Sequence, residues 1–200
     1  MAEGLKKLLE KLTKNYMENK RNRLIAVIGA SRPTKGYSSS MGRLVGYKLR
    51  ESIKKDDMIV TGGVRGVGLD VYRGVINYCK ERKISDDQFM LIYPEILIWP
   101  PLEYFDYARE INKGLEIRIE GEDMLERREK LAEICDCAVV LNGGWGTLDE
   151  VWLFLLKKKP VFGLGYSGGA ASYIKKLHDG KHVNNFENID ALIQEVKKMN

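Results

Sequence analysis

The stretch Asn142-Gly143-Gly144-Trp145-Gly146-Thr147-Leu148-Asp149-Glu150 puts three glycines, a hydroxyl and two carboxylates between two apolar runs, Cys137 to Leu141 and Val151 to Leu156. A strand that enters a helix through glycines leaves the first helical N–H groups unpaired. The helix dipole adds partial positive charge there, so the turn suits an anion such as phosphate. Gly143, Gly144 and Gly146 also let backbone approach a bulky group that a Cβ would exclude. Thr147 with Glu150 three positions later equally spells a capping box, which needs no ligand. The two readings part at Glu150: an acid facing a cleft in one, an acid bonded to its own helix's first turn in the other.

The surrounding elements place this turn. Apolar runs at 24–28, 57–60, 89–93, 137–141 and 160–164 read as five short strands, and helical periodicity over 39–54, 69–82, 123–136, 147–158 and 188–199 alternates with them. Such alternation predicts an α/β fold, a Rossmann-like doubly wound parallel sheet with helices on both faces. Ligands of open parallel sheets bind outside the carboxyl ends of the strands. The glycine-bearing loops after the first and second strands therefore join the turn on one edge. Gly29, Ser31, Gly62 and Gly63 become candidate phosphate- or nucleotide-binding positions beside Gly143, Gly144, Gly146 and Thr147. Residues 94–121, with Pro94, Pro100, Pro101, Trp99, Tyr104, Phe105 and Tyr107, break the rhythm. They read as a packed surface loop, or as a lid or dimer contact offering aromatic faces to a base.

At 200 residues and 44% hydrophobic content the chain can bury one full core, so residues 23–200 are expected to form a single domain. Residues 1–22 precede it as an amphipathic helix, with Leu5, Leu8, Leu9, Leu12 and Tyr16 on one stripe. The formal net charge of +5 is concentrated there: seven Lys or Arg against three Glu within residues 1–23 give +4. The nearly neutral remainder lacks the basic stripe that a nucleic-acid surface needs. Three cysteines make no disulfide framework and point to a cytoplasmic protein. Cys135 and Cys137 have no partners to complete a metal site, and His178 and His182 read as surface residues, so neither metal nor cofactor is expected. No apolar run is long enough to span a membrane. Gly163 to Gly168 matches GxGxxG literally, but it lies late in the chain with no convincing strand after it, and this counts against a dinucleotide fingerprint.

Asp123 to Glu150, DMLERREKLAEICDCAVVLNGGWGTLDE, resembles the paired MxxRK and PGGxGTxxE motifs of the Lonely Guy (LOG) family of nucleoside monophosphate phosphoribohydrolases, chains often labelled lysine decarboxylases. Thr61 to Gly74 is similar to the glycine-rich second loop of the wider superfamily that includes molybdenum-cofactor carrier proteins. The resemblance implies catalytic roles for Arg127 and Glu150, a phosphate loop at Gly143, Gly144, Gly146 and Thr147, and a homodimer or higher homo-oligomer. The implied activity is N-glycosidic cleavage of a nucleoside 5′-monophosphate to free base and ribose 5-phosphate. The alternative is a carrier of the same fold that binds a nucleotide or phosphorylated cofactor without cleaving it. Helical spacing makes Arg128 a rival to Arg127, because with Met124, a further candidate, it lies nearer the apolar stripe. Asn142 stands where the family has proline, and Arg128 where it has lysine.

Overall fold

The computed structural model describes residues 22–62, 65–85, 88–93, 116–119, 121–177 and 182–199. Among these, β1 (Leu24–Gly29), β2 (Met58–Thr61), β3 (Phe89–Tyr93), β4 (Glu116–Ile119), β5 (Cys137–Leu141), β6 (Val161–Leu164) and β7 (Val183–Phe186) form one sheet in the order β4-β3-β2-β1-β5-β6-β7. Every neighbouring pair is parallel, with Ile25 opposite Cys137 and Ala138 opposite Val161 in the central register. All five residues of β5 are buried, as a central strand covered on both faces requires. Alternation along β1 then divides the core. Ile25 and Val27 pack on one side and Ala26 and Ile28 on the other.

Helices α1 (Ser39–Ser52), α2 (Val67–Arg82) and α6 (Ile189–Lys198) cover the Ile25 face, and α3 (Met124–Ile134), α4 (Trp145–Leu156) and the short α5 (Gly169–Ile174) cover the other. Polar caps fix where three of them begin: Ser38 accepts from the Met41 N–H, Asp123 from those of Leu125 and Glu126, and Asn188 from that of Ala191. α1 and α2 cross through bare backbone. A Cβ on Gly46 would lie 1.9 Å from the Val71 carbonyl oxygen, and one on Gly74 would lie 1.9 Å from that of Arg43. Arg23 closes the bottom of the domain, donating to the Asp57 carboxylate and, at 3.2 and 2.9 Å, to the carbonyls of Val196 and Met199.

The doubly wound parallel sheet is as expected from the alternating runs, but it has seven strands where the sequence predicts five. β4 lies inside the 94–121 segment read as a loop, and β7 follows the GxGxxG stretch, after which no strand was expected. EIRI carries two charges in four residues and VNNF two asparagines, so neither shows the continuous apolar run of a buried strand. Both flank the outer ends of the sheet, where one neighbour suffices. The expected N-terminal helix over 1–22 falls outside the described residues except for Asn22, and so do 94–115, Gly63 and His178.

Candidate functional site

Chain direction across the sheet reverses between β1 and β5, because β1 leads outward through β2, β3 and β4 before β5 returns to its other side. The carboxyl ends of these two strands open a crevice at that switch point. A cleft of about 310 Å³ occupies it. Gly29, Ser31 and Arg32 from the loop after β1 form one wall, with Gly62 and Arg65 from the loop after β2. Met124, Arg127 and Arg128 from the first turns of α3 face them, and Gly144, Gly146, Thr147 and Glu150 from the start of α4 complete the lining.

Arg127 and Glu150 meet in the cleft. Arg127 Nη2 donates to Glu150 Oε1, and the side chains are only 4% and 9% exposed. Nε and Nη1 of Arg127 are buried with no hydrogen-bond partner among the described residues. A buried guanidinium with two unused donors is costly unless something supplies acceptors. Gly62 lies against this guanidinium, and a Cβ on it would lie 2.9 Å from Arg127 Nη1. Glu150 therefore faces the cleft and the arginine, and the capping-box reading is set aside. The cap of α4 is Gly144, with no side-chain capping bond, and helix begins at Trp145. Thr147 lies inside the first turn, its N–H 3.1 Å from the Gly144 carbonyl, while the N–H groups of Trp145 and Gly146 have no partner among the described residues.

Arg128 takes the outer position. Its Nη1 lies 3.3 Å from Asp149 Oδ2, with side-chain exposures of 23% and 56%, so the pair contributes little to stability. A Cβ on Gly146 would come within 2.6 Å of Arg128 Nη2, so the guanidinium lies close against the start of α4. Both arginines thus reach the cleft, Arg127 deep and Arg128 at the mouth. Asp149 points outward, as its rotation from Glu150 on the helix requires.

The remaining glycines divide by cause. A Cβ on Gly144 would meet nothing within 4 Å and would project into open space. One on Gly29 would sit 2.2 Å from the Leu141 carbonyl oxygen, so close packing against β5 demands glycine there whatever the cleft holds. Gly143 does not line the cleft. It has φ 106°, and a Cβ there would strike Thr147 at 2.6 Å. Arg32 and Arg65 were not singled out in the sequence, where no motif marks them.

Cys135 and Cys137 are buried on opposite faces of the sheet. Burial pushes both thiols up, Cys137 to about 12.

Comparison with known proteins bears on this arrangement. The family model described as "Possible lysine decarboxylase" matches residues 75–178, just over half of the chain and inclusive of Arg127 and Glu150. The chain belongs to this family. The resemblance drawn from Asp123 to Glu150 is thereby upheld at the level of the lysine-decarboxylase-like family. A search of curated proteins finds no match. Solved structures share the fold. The molybdenum cofactor binding protein of Rippkaea orientalis aligns at 19% identity over 90% of this chain and 98% of that one, with a TM-score of 0.64. The molybdenum cofactor carrier protein of Chlamydomonas reinhardtii aligns at 22% identity over 89% and 98%, with a TM-score of 0.59. DNA processing protein A of Helicobacter pylori aligns at 18% identity over 88% and 80%, also at 0.59. Among the described residues no helix is long and apolar enough to cross a membrane.

Proposed function

We propose that this lysine-decarboxylase-like protein binds a nucleoside 5′-monophosphate in the cleft and hydrolyses its N-glycosidic bond, as the likeness to LOG phosphoribohydrolases suggests. The observation that carries the reading is the Arg127–Glu150 pair, buried at the floor of an open cleft with two arginine donors unused. The phosphate would sit at the start of α4, taking the N–H groups of Trp145 and Gly146 with Arg128 alongside. Gly144 leaves room for that approach. The ribose would then extend inward toward Glu150.

Cleavage builds positive charge on the sugar as the bond between C1′ and the base nitrogen lengthens. A fixed carboxylate beside C1′ stabilises that charge and orients water for attack. Water oxygen bonds to C1′, the bond electrons leave with the base, and the proton released by water replaces the sugar on the base nitrogen. Arg127 holds the Glu150 carboxylate in place through Nη2. Gly29 and Ser31 would border the sugar or base from the opposite wall, with Gly62 beside Arg127, and Gly63 belongs to the same loop outside the described residues.

A carrier that binds without cleavage is the second reading. The direct contact between Arg127 and Glu150 favours it, because a carboxylate spent on an arginine is less available to a reacting sugar. One assay separates the two. Incubation with AMP and other monophosphates should yield free base and ribose 5-phosphate, and Glu150→Ala should abolish release while retaining nucleotide binding. Binding without release by either form assigns the carrier role. No binding of any phosphorylated ligand removes both.

A further inference from the structure

The loop bearing the anion-binding turn hangs on one side chain outside the cleft lining. Asn142 is completely buried and has φ 54°. Asparagine tolerates this left-handed conformation, whereas the proline of the family motif, fixed near −65°, could not adopt it. Its backbone N–H donates to Ser167 Oγ at 2.7 Å, and its Nδ2 donates to the Ser167 carbonyl at 2.6 Å. Its Oδ1 accepts from the Thr34 N–H at 3.1 Å. Behind it, the carbonyls of Asn142 and Gly143 accept from Ala171 and Ala170 at 3.0 and 2.8 Å. Three loops, after β1, β5 and β6, therefore converge on one amide.

The same convergence accounts for Gly168, the last glycine of the GxGxxG stretch, and for Gly169 beside it, while a Cβ on Gly165 would lie 2.3 Å from Asn185 Oδ1. A Cβ on Gly168 (φ 81°) would lie 2.3 Å from the Lys35 carbonyl, and one on Gly169 (φ 55°) 2.3 Å from that of Gly143. Glycines at this place let backbones touch one another rather than a dinucleotide.

We infer that Asn142 is a positioning residue that clamps the anion-binding turn to the loops carrying Thr34 and Ser167, so the open N–H groups of α4 are aimed before a ligand arrives. Its ligand-binding side rests on the proposed phosphate site, while the clamp is a property of the fold. Geometry set in advance spares the ligand the cost of ordering the loop.

Asn142→Gly keeps the left-handed backbone and deletes all side-chain bonds. Asn142→Asp keeps the acceptor for Thr34 but sets an oxygen against the Ser167 carbonyl. Ser167→Ala, which removes the acceptor for the Asn142 N–H, serves as an independent variant should either substitution prevent folding. Amide hydrogen exchange at Ala170 and Ala171 reads the clamp directly, and dissociation constants for AMP and adenosine read its effect. The loss of hydrogen bonds of ordinary strength predicts about tenfold weaker protection at these two amides and about tenfold weaker AMP binding. Adenosine, lacking the phosphate, should change less than about twofold on the same reasoning. Unchanged protection in a folded variant, or equal losses for AMP and adenosine, would overturn the inference. Should the wild type bind no phosphorylated ligand, the proposed function fails and the exchange experiment still decides the clamp.

Discussion

Replacing Glu150 by alanine leaves the Arg127 guanidinium buried without its counter-charge, and the stability cost follows from the surroundings of the pair. Both side chains are at least nine-tenths buried, so solvent screening is small. Breaking such a pair by removing one partner costs about 3–5 kcal/mol. The adjoining cleft lets water reach the arginine, which selects the lower end, about 3 kcal/mol. For a domain of this size that corresponds to a fall in Tm of roughly 6–12 °C. Differential scanning calorimetry in phosphate-free buffer at low ionic strength measures it. Phosphate should then raise the Tm of Glu150→Ala more than that of the wild type, because the exposed donors bind the added anion and binding to the native state stabilises it. Replacing both partners by leucine should recover most of the loss, since no orphan charge remains. If Glu150→Ala melts within about 2 °C of the wild type, less than one kcal/mol at this size, the pair is not the buried, mutually dependent unit described.

Two glycine substitutions should separate fold from site. Gly29→Ala forces a Cβ into the Leu141 carbonyl and should be strongly destabilising in thermal melts, whereas Gly144→Ala should keep the wild-type Tm and lose affinity for phosphate, measured by calorimetric titration. The pH profile of stability should carry the signature of Asp57. Burial raises its pKa, but the hydrogen bonds from Arg23 and the Lys54 N–H outweigh this and hold the carboxyl below its ordinary value. A depressed native pKa contributes stability above the unfolded pKa and loses it as pH falls through the native one. Asp57→Asn should therefore cost stability at pH 7, with the difference shrinking in denaturation experiments below about pH 4. The buried thiols Cys79, Cys135 and Cys137 should resist alkylation at pH 8 until denaturant is added, read by mass spectrometry.

The parallel layering was legible because β1 and β5 are continuous apolar runs that only a doubly covered sheet accommodates. The outer strands were not, since EIRI and VNNF look like surface sequence. The cleft lining was legible in part: Arg127, Glu150, Gly144, Gly146 and Thr147 line it, whereas Gly143 does not and Arg32 and Arg65 carried no signal. Family likeness chose Arg127 as the catalytic arginine, and the structure buries it in the cleft beside Glu150. The helical wheel favoured Arg128, because a wheel counts apolar neighbours and the first turn of α3 faces a cleft instead of core. Thr147 and Glu150 satisfy the letter pattern of a capping box, yet helix begins at Trp145, three residues earlier than that pattern requires. Asn142 could not be read from the sequence, because its role depends on Thr34 and Ser167, which are far from it along the chain.

The glycine crossing of α1 and α2 bears on how the cleft could move. Backbone in contact with backbone has no side chains to re-rotamer, so these helices cannot slide or tilt without collision. The loops they anchor, carrying Ser31 on one side and Gly62 on the other, behave as a fixed jaw. Any widening to admit a ligand falls to the opposing jaw of α3 and α4, where Trp145 stands 85% exposed.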